Sequence, residues 1–267
     1  MFAPYNLMVS NDEKKEFIYK CDTQSIQSFE KYENSLTKII EDKISYFDSE
    51  KNILDGSKLQ EDWFPSLDFN IFISHSHKDH SLAVALANFI ESRTSLKVFV
   101  DGMVWKNADE LQHKLDDKFS LIDTNLYSYK KVLATTSNVN AILSMAIMKV
   151  MDKTDVVLLL NTNNSVLAFD SLADKTLSPW LFEEWLFTQN LKRTKHTRKI
   201  SKTATLETKN MQVAYELPDI NNYKKLRIKD IENWIYKCDS KKYSYDKLEQ
   251  LYEMFKPYRE ETKPLLE

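Results

Sequence analysis

The segment His75-Ser76-His77-Lys78-Asp79-His80 sets three imidazoles and a carboxylate in six successive residues. These are the residue types that hold zinc when they converge from one tight loop. A second chemical group is Ser178-Pro179-Trp180-Leu181-Phe182-Glu183-Glu184. On a helix, Trp180 and Glu184 share a face, and Glu183 turns about 100° away from it.

Both groups need elements to position them. Residues 69–74 are β-branched and aromatic and stop abruptly in polar residues. They predict a buried strand that delivers the histidine turn to its carboxyl end, the edge where open α/β sheets bind ligands. Apolar spacing then predicts a helix over 79–93, a strand over 97–101 and a helix over 109–119. Residues 121–136 read as an irregular inserted loop, 139–151 as a buried helix and 155–160 as an inner parallel strand. Ser178 can cap the next helix and Pro179 suits its first position, with the helix running to 190. A last strand is expected over 211–217 and two amphipathic helices over 228–237 and 245–255.

Upstream, 11–47 has the apolar stripe of one long helix, fit either to pack on the core or to self-associate. Pro65 forces Phe64 into extended backbone and marks a boundary near 67. The expected organisation is a helical extension over 1–66, a core domain over 67–220 and C-terminal helices over 221–267 packed on it. Alternating strands and helices imply a doubly wound parallel sheet.

Composition removes several function classes. The 267 residues are 42% hydrophobic and 29% charged, which suits a packed core with a soluble surface. A net charge of −3 gives no general attraction to nucleic acid or anionic membrane. The basic run 192–202 lacks the aromatics that stack on bases and reads as a solvated loop. Lys149, Asp152, Lys153 and Asp155 interrupt the most apolar region, so no bilayer span is expected. Only two glycines are present, which excludes both glycine-rich phosphate loops. Two distant cysteines and no signal peptide point to a reducing cytoplasm.

Read literally, His75 to His80 resembles the HxHxDH zinc signature of metallo-β-lactamase-like hydrolases. That family needs more histidines downstream, and only His113 and His196 remain, so no metal is expected. A second resemblance covers more of the chain, about 67–217. Phe72-Ile73-Ser74-His75-Ser76-His77-Lys78-Asp79 resembles the first box of Toll/interleukin-1 receptor (TIR) domains, and Val98-Phe99-Val100-Asp101 resembles the strand entering their BB loop. Ser178 to Glu184 resembles the Ser-x-Trp-x-x-x-Glu signature of their αC helix. Bacterial stand-alone TIR proteins are the nearest type. Histidines in the box, an insertion between 119 and 155, and Leu160-Asn161 in place of Leu-Ser depart from the pattern.

The resemblance implies a flavodoxin-like fold with added helices at both ends. It implies cleavage of the nicotinamide–ribose bond of NAD, with NAD+ as substrate and no separate cofactor. Glu184 matches the catalytic glutamate. Ser74, His75, His77, Asp101, Trp105, Asn161 and Trp180 fall where substrate contacts are expected. Water capture would give ADP-ribose, and internal attack a cyclic isomer. Bacterial TIR proteins of this sort, including the Thoeris type, often serve anti-phage defence by making such a signal for a separate effector, and they self-associate. The rival readings are a non-catalytic TIR adaptor and, behind it, the zinc hydrolase.

Overall fold

The computed structural model describes residues 3–21, 47–48, 53–54, 56–63, 68–100, 102–167, 175–191, 215–216, 223–238, 241 and 243–256. Five parallel strands form the central sheet: β1 (Ala3–Met8), β2 (Ile71–Ser74), β3 (Val98–Val100), β4 (Val156–Asn161) and β5 (Lys224–Leu226). Their spatial order is β5-β1-β4-β2-β3. The helices are α1 (Asn11–Lys20), α2 (Gly56–Trp63), α3 (His80–Thr94), α4 (Gly102–Phe119), α5 (Tyr129–Lys153), α6 (Pro179–Asn190), α7 (Ile228–Cys238) and α8 (Ser244–Met254).

Strand alternation sorts the core into two layers. Ile71, Ile73, Val156, Leu158 and Leu160 pack with residues of α1, α3, α7 and α8 on one face. Phe72, Val157 and Leu159 pack with residues of α2, α4, α5 and α6 on the other. The protein is thus an α/β fold whose parallel sheet is covered by helices on both sides. Among the described residues no helix is long and apolar enough to cross a membrane.

The sheet differs from expectation at both ends of the chain. Residues 3–8 form a central strand between β4 and β5, although the sequence pattern places them in an extension outside the core. Counting from β2, the order is second, first, third, fourth, fifth, as in flavodoxin-like sheets, with the N-terminal strand in fourth place. Pro4 is tolerated there for a geometric reason. Ala3 and Val9 donate their N–H groups to β4-side carbonyls of Asp155 and Asn161, so the even residues of β1 face β5. Among the described residues the β5 ladder begins at Tyr5 opposite Lys224, so no described ladder bond calls on the donor that Pro4 lacks.

Of the expected strand over 211–217, only 215–216 lie among the described residues, and they are not in this sheet. Its described residues, Tyr215–Glu216, pair antiparallel with Lys175–Thr176, and the final sheet strand is β5. The expected loop over 121–136 is instead a small hairpin, Leu121–Asp123 against Leu126–Tyr127, followed by the 25-residue α5. The helix expected over 11–47 stops at Lys20, where Cys21 turns to extended backbone, and Phe47–Asp48 instead pair antiparallel with Ile53–Leu54; 22–46 lie outside the described residues. A reciprocal cap starts α1: Ser10 Oγ accepts from the Glu13 N–H, and Glu13 accepts from the Ser10 N–H at 2.9 Å.

Candidate functional site

Helix α6 begins as its sequence predicts. Ser178 Oγ accepts from the Leu181 N–H at 3.2 Å, and Pro179 occupies the first turn. Leu181, Glu184, Trp185 and Thr188 form its buried stripe. The stripe lies against the sheet face that carries Phe72 and Leu159. At one end Glu184 reaches Ser74, the last residue of β2. At the other, Thr188 Oγ1 lies 2.7 Å from Tyr223 Oη, just before β5. One turn of α6 thus links the end of β2 to the residue before β5.

Ser74 is the pivot of the site. Its Oγ donates to Glu184 Oε2 at 2.6 Å and accepts from Trp185 Nε1 at 3.0 Å. An indole N–H can only donate, so the hydroxyl proton is left to point at the carboxylate. Ser74 and Glu184 are 0% and 1% exposed, which keeps this hydrogen bond out of water and strengthens it. Glu183, one residue earlier, faces α5 instead. Burial pushes its carboxyl above the usual carboxylate range, opposed by a hydrogen bond with Ser144.

The side chains of the histidine turn are spread apart rather than converging on one point. His75 is buried, and its Nε2 sits 3.3 Å from Nδ1 of His80. His77 is exposed on the short turn His77–Asp79. Asp79 is fully buried and engaged elsewhere. Lys14 Nζ lies 2.6 Å from its Oδ1, Asn164 Nδ2 donates to the same oxygen at 2.7 Å, and Thr162 Oγ1 donates to Oδ2 at 2.5 Å. Asp79 thus ties the turn after β2 to α1 and to the loop after β4. Among the described residues no three His, Cys, Asp or Glu side chains are grouped to hold a metal ion.

Of the expected contacts, Ser74 and Glu184 are brought together directly. Trp180 is half-buried and packs on the same apolar layer as Trp185. Asn161 is half-buried at the end of β4, on the face that carries Leu159 and one row beyond it. His75 pairs with His80 and His77 stands apart on the surface. Trp105 falls within α4, where only its backbone is described, and Asp101 lies outside the described residues.

Two residues of the site were not anticipated. Trp185 holds Ser74, and its only sequence signal was its place next to Glu184. Asn6, at the centre of β1, is 1% exposed on the face beneath α6. Nothing in the sequence linked residue 6 to a turn some seventy positions later.

No family model matches the chain, and no match is found among curated proteins or solved structures. The class it belongs to is set by its sheet: an α/β protein with a five-stranded parallel sheet flanked by helices.

Proposed function

We propose that this protein is a TIR-type enzyme that cleaves the nicotinamide–ribose bond of NAD+, with Glu184 as the essential carboxylate. The observation that carries the reading is the 2.6 Å contact between Ser74 and Glu184. It joins the two segments that resemble TIR boxes, and it does so at the carboxyl end of a parallel strand. Nicotinamide departs as a neutral pyridine, so the pair of carboxylates used by most glycosidases is not required. The demand falls on one preorganised negative group beside the ribose. Ser74, oriented by Trp185, holds that group in place.

ADP-ribose or a cyclic isomer is the product, acting as a diffusible signal for a separate effector in a cytoplasmic anti-phage role. The test is to incubate purified protein with NAD+, with and without the trigger that elicits activity in cells, and follow nicotinamide release. Mass and retention of the second product separate hydrolysis from cyclisation. Release that vanishes in Glu184→Ala supports the reading. Release that persists in that variant, or never occurs even with the trigger, overturns it.

A second reading, a non-catalytic TIR adaptor that works by assembly, is favoured by one observation. The hairpin over 121–127 exposes Leu121, Ile122, Leu126 and Tyr127 together, a concentration of apolar surface that monomers rarely keep without a use.

A further inference from the structure

The hairpin over 121–127 joins α4 to α5, and the joint is pinned by a polar network at its foot. Asp116 on α4 accepts from Gln112 Nε2 at 2.6 Å, from Ser120 Oγ at 2.9 Å and from Thr135 Oγ1 on α5. Gln112 Nε2 also donates to Thr135 at 3.1 Å, and Tyr127 Oη is tied to Asp117. The side chains that the hairpin presents are therefore held in place before any partner arrives, which lowers the entropy lost on docking.

Those side chains are apolar or aromatic. Leu121, Ile122, Leu126 and Tyr127 of the hairpin, with Tyr129 and Leu133 at the start of α5, are 39% to 74% exposed. At roughly 100 Å² for a large side chain half out of water, the six present about 600 Å². That is the top of the range a monomer keeps, and it approaches the roughly 800 Å² per partner of a standard interface.

Charge identifies the occupant. The tip of the hairpin carries Asp123 and no basic residue. Its foot carries Lys118, Lys130 and Lys131, all exposed, against the single acid Asp117. An element with an acidic tip and a basic foot is complementary to a copy of itself turned end for end. That is the self-complementary contact of a two-fold dimer. Laid tip to tip, two copies would instead set Asp123 against Asp123.

We infer that this protein forms a two-fold dimer through the hairpin and the start of α5, the tip of each hairpin lying against the foot of the other. The inference rests on the assembly reading above and adds to it a partner and an orientation; it makes no use of Glu184.

The experiment is sedimentation equilibrium at low salt on wild type, Asp123→Lys, the paired variant Lys130→Asp and Lys131→Asp, and the triple variant that combines them. Wild type is expected to dimerise. Asp123→Lys and the paired variant each set like charges against one another and should raise the dimer Kd about tenfold or more. The triple variant exchanges the signs at both ends and should return to within about threefold of wild type, as coupled sites do. Asp123→Asn, which keeps an acceptor for the Thr124 N–H, carries the test if lysine disturbs the turn. Wild type that stays monomeric at every concentration overturns the inference and the assembly reading with it. A wild-type dimer whose Kd is the same in Asp123→Lys overturns the inference alone, because assembly then uses another surface.

Discussion

Ser74 and Glu184, 110 positions apart in the chain, share a 2.6 Å hydrogen bond inside the protein. The contact depends on β2 ending at Ser74 and on α6 presenting Glu184 on its buried stripe. Glu184→Gln keeps an acceptor for the Ser74 hydroxyl but removes the charge. It is expected to lower nicotinamide release about 100-fold or more, in line with losses when one preorganised electrostatic group is removed. Its melting temperature should stay close to wild type. Ser74→Ala differs because it strands the indole N–H and removes one hydrogen bond from the buried carboxylate, and it should cost roughly 1–3 kcal/mol of stability. Release assays with parallel thermal melts distinguish the two effects, and equal activity in Glu184→Gln and wild type would remove the carboxylate from the mechanism.

Asp79 makes the opposite kind of prediction, for stability without chemistry. It is held by Lys14, Asn164 and Thr162, and Asp79→Ala leaves these donors unanswered. Hydrogen bonds to a buried charge are among the stronger ones, so a loss on the order of 2–4 kcal/mol is expected in denaturant unfolding. Lys14→Met should cost less, because the lysine is partly exposed and two neutral donors remain. The same bonding commits both oxygens of Asp79 to Lys14, Asn164 and Thr162. A chelator should leave the melting temperature unchanged, and stoichiometric zinc in purified protein would contradict this account of the turn.

Glu91, near the end of α3, gives a pH prediction. Burial raises its carboxyl above the ordinary value of 4.5, against a lowering by the hydrogen bond from the Val98 N–H. A raised folded value means that the protonated form is the one the fold favours. Its contribution is present below the unfolded value and is lost as pH rises through the folded one. Glu91→Gln retains an oxygen for the Val98 N–H, at 2.8 Å in the wild type, and has no charge to bury. Its melting temperature should exceed wild type at pH 7 to 8, with the difference closing below about pH 4. A gap of constant size across that range would mean that ionisation is not the cause.

How far the sequence could be read follows from the range of its signals. The strand ending at Ser74 and the helix capped by Ser178 carry local chemistry, an apolar run cut off by polar residues and a serine–proline start, and both form as expected. The contact between Ser74 and Glu184 was reachable only because each belongs to a motif. β1 was not reachable in this way. Pro4 and Asn6 interrupt its apolar run, and the reason Pro4 is tolerated lies in a β5 ladder whose described part begins one residue later. His75 and His80 invited a metal reading because spacing shows which residues are near in the chain. It does not show that the two rings turn to each other. The hairpin over 121–127 was masked because its strands are two and three residues long and exposed, without the alternation that marks a half-buried strand.

That hairpin supports the last prediction. Its turn at Thr124-Asn125 puts Asn125 at φ 59°, a left-handed backbone that asparagine tolerates. It is anchored at its base, where Ser128 N–H donates to Ser120 O at 2.8 Å and Tyr127 Oη donates to Asp117 at 2.5 Å. Beyond that base Ile122 is 63% and Leu126 56% exposed, so neither contributes much to the fold. Replacing both by lysine should change stability by no more than about 0.5 kcal/mol per site. If the adaptor reading or TIR self-association uses this surface, wild type should sediment with a mass that rises with concentration, and the double variant should not. A short, exposed two-stranded element offers unpaired backbone edges beside its apolar side chains, and lysine blocks both uses at once. Identical sedimentation of the two proteins would leave assembly without this surface, and NAD cleavage would then be the reading with structural support.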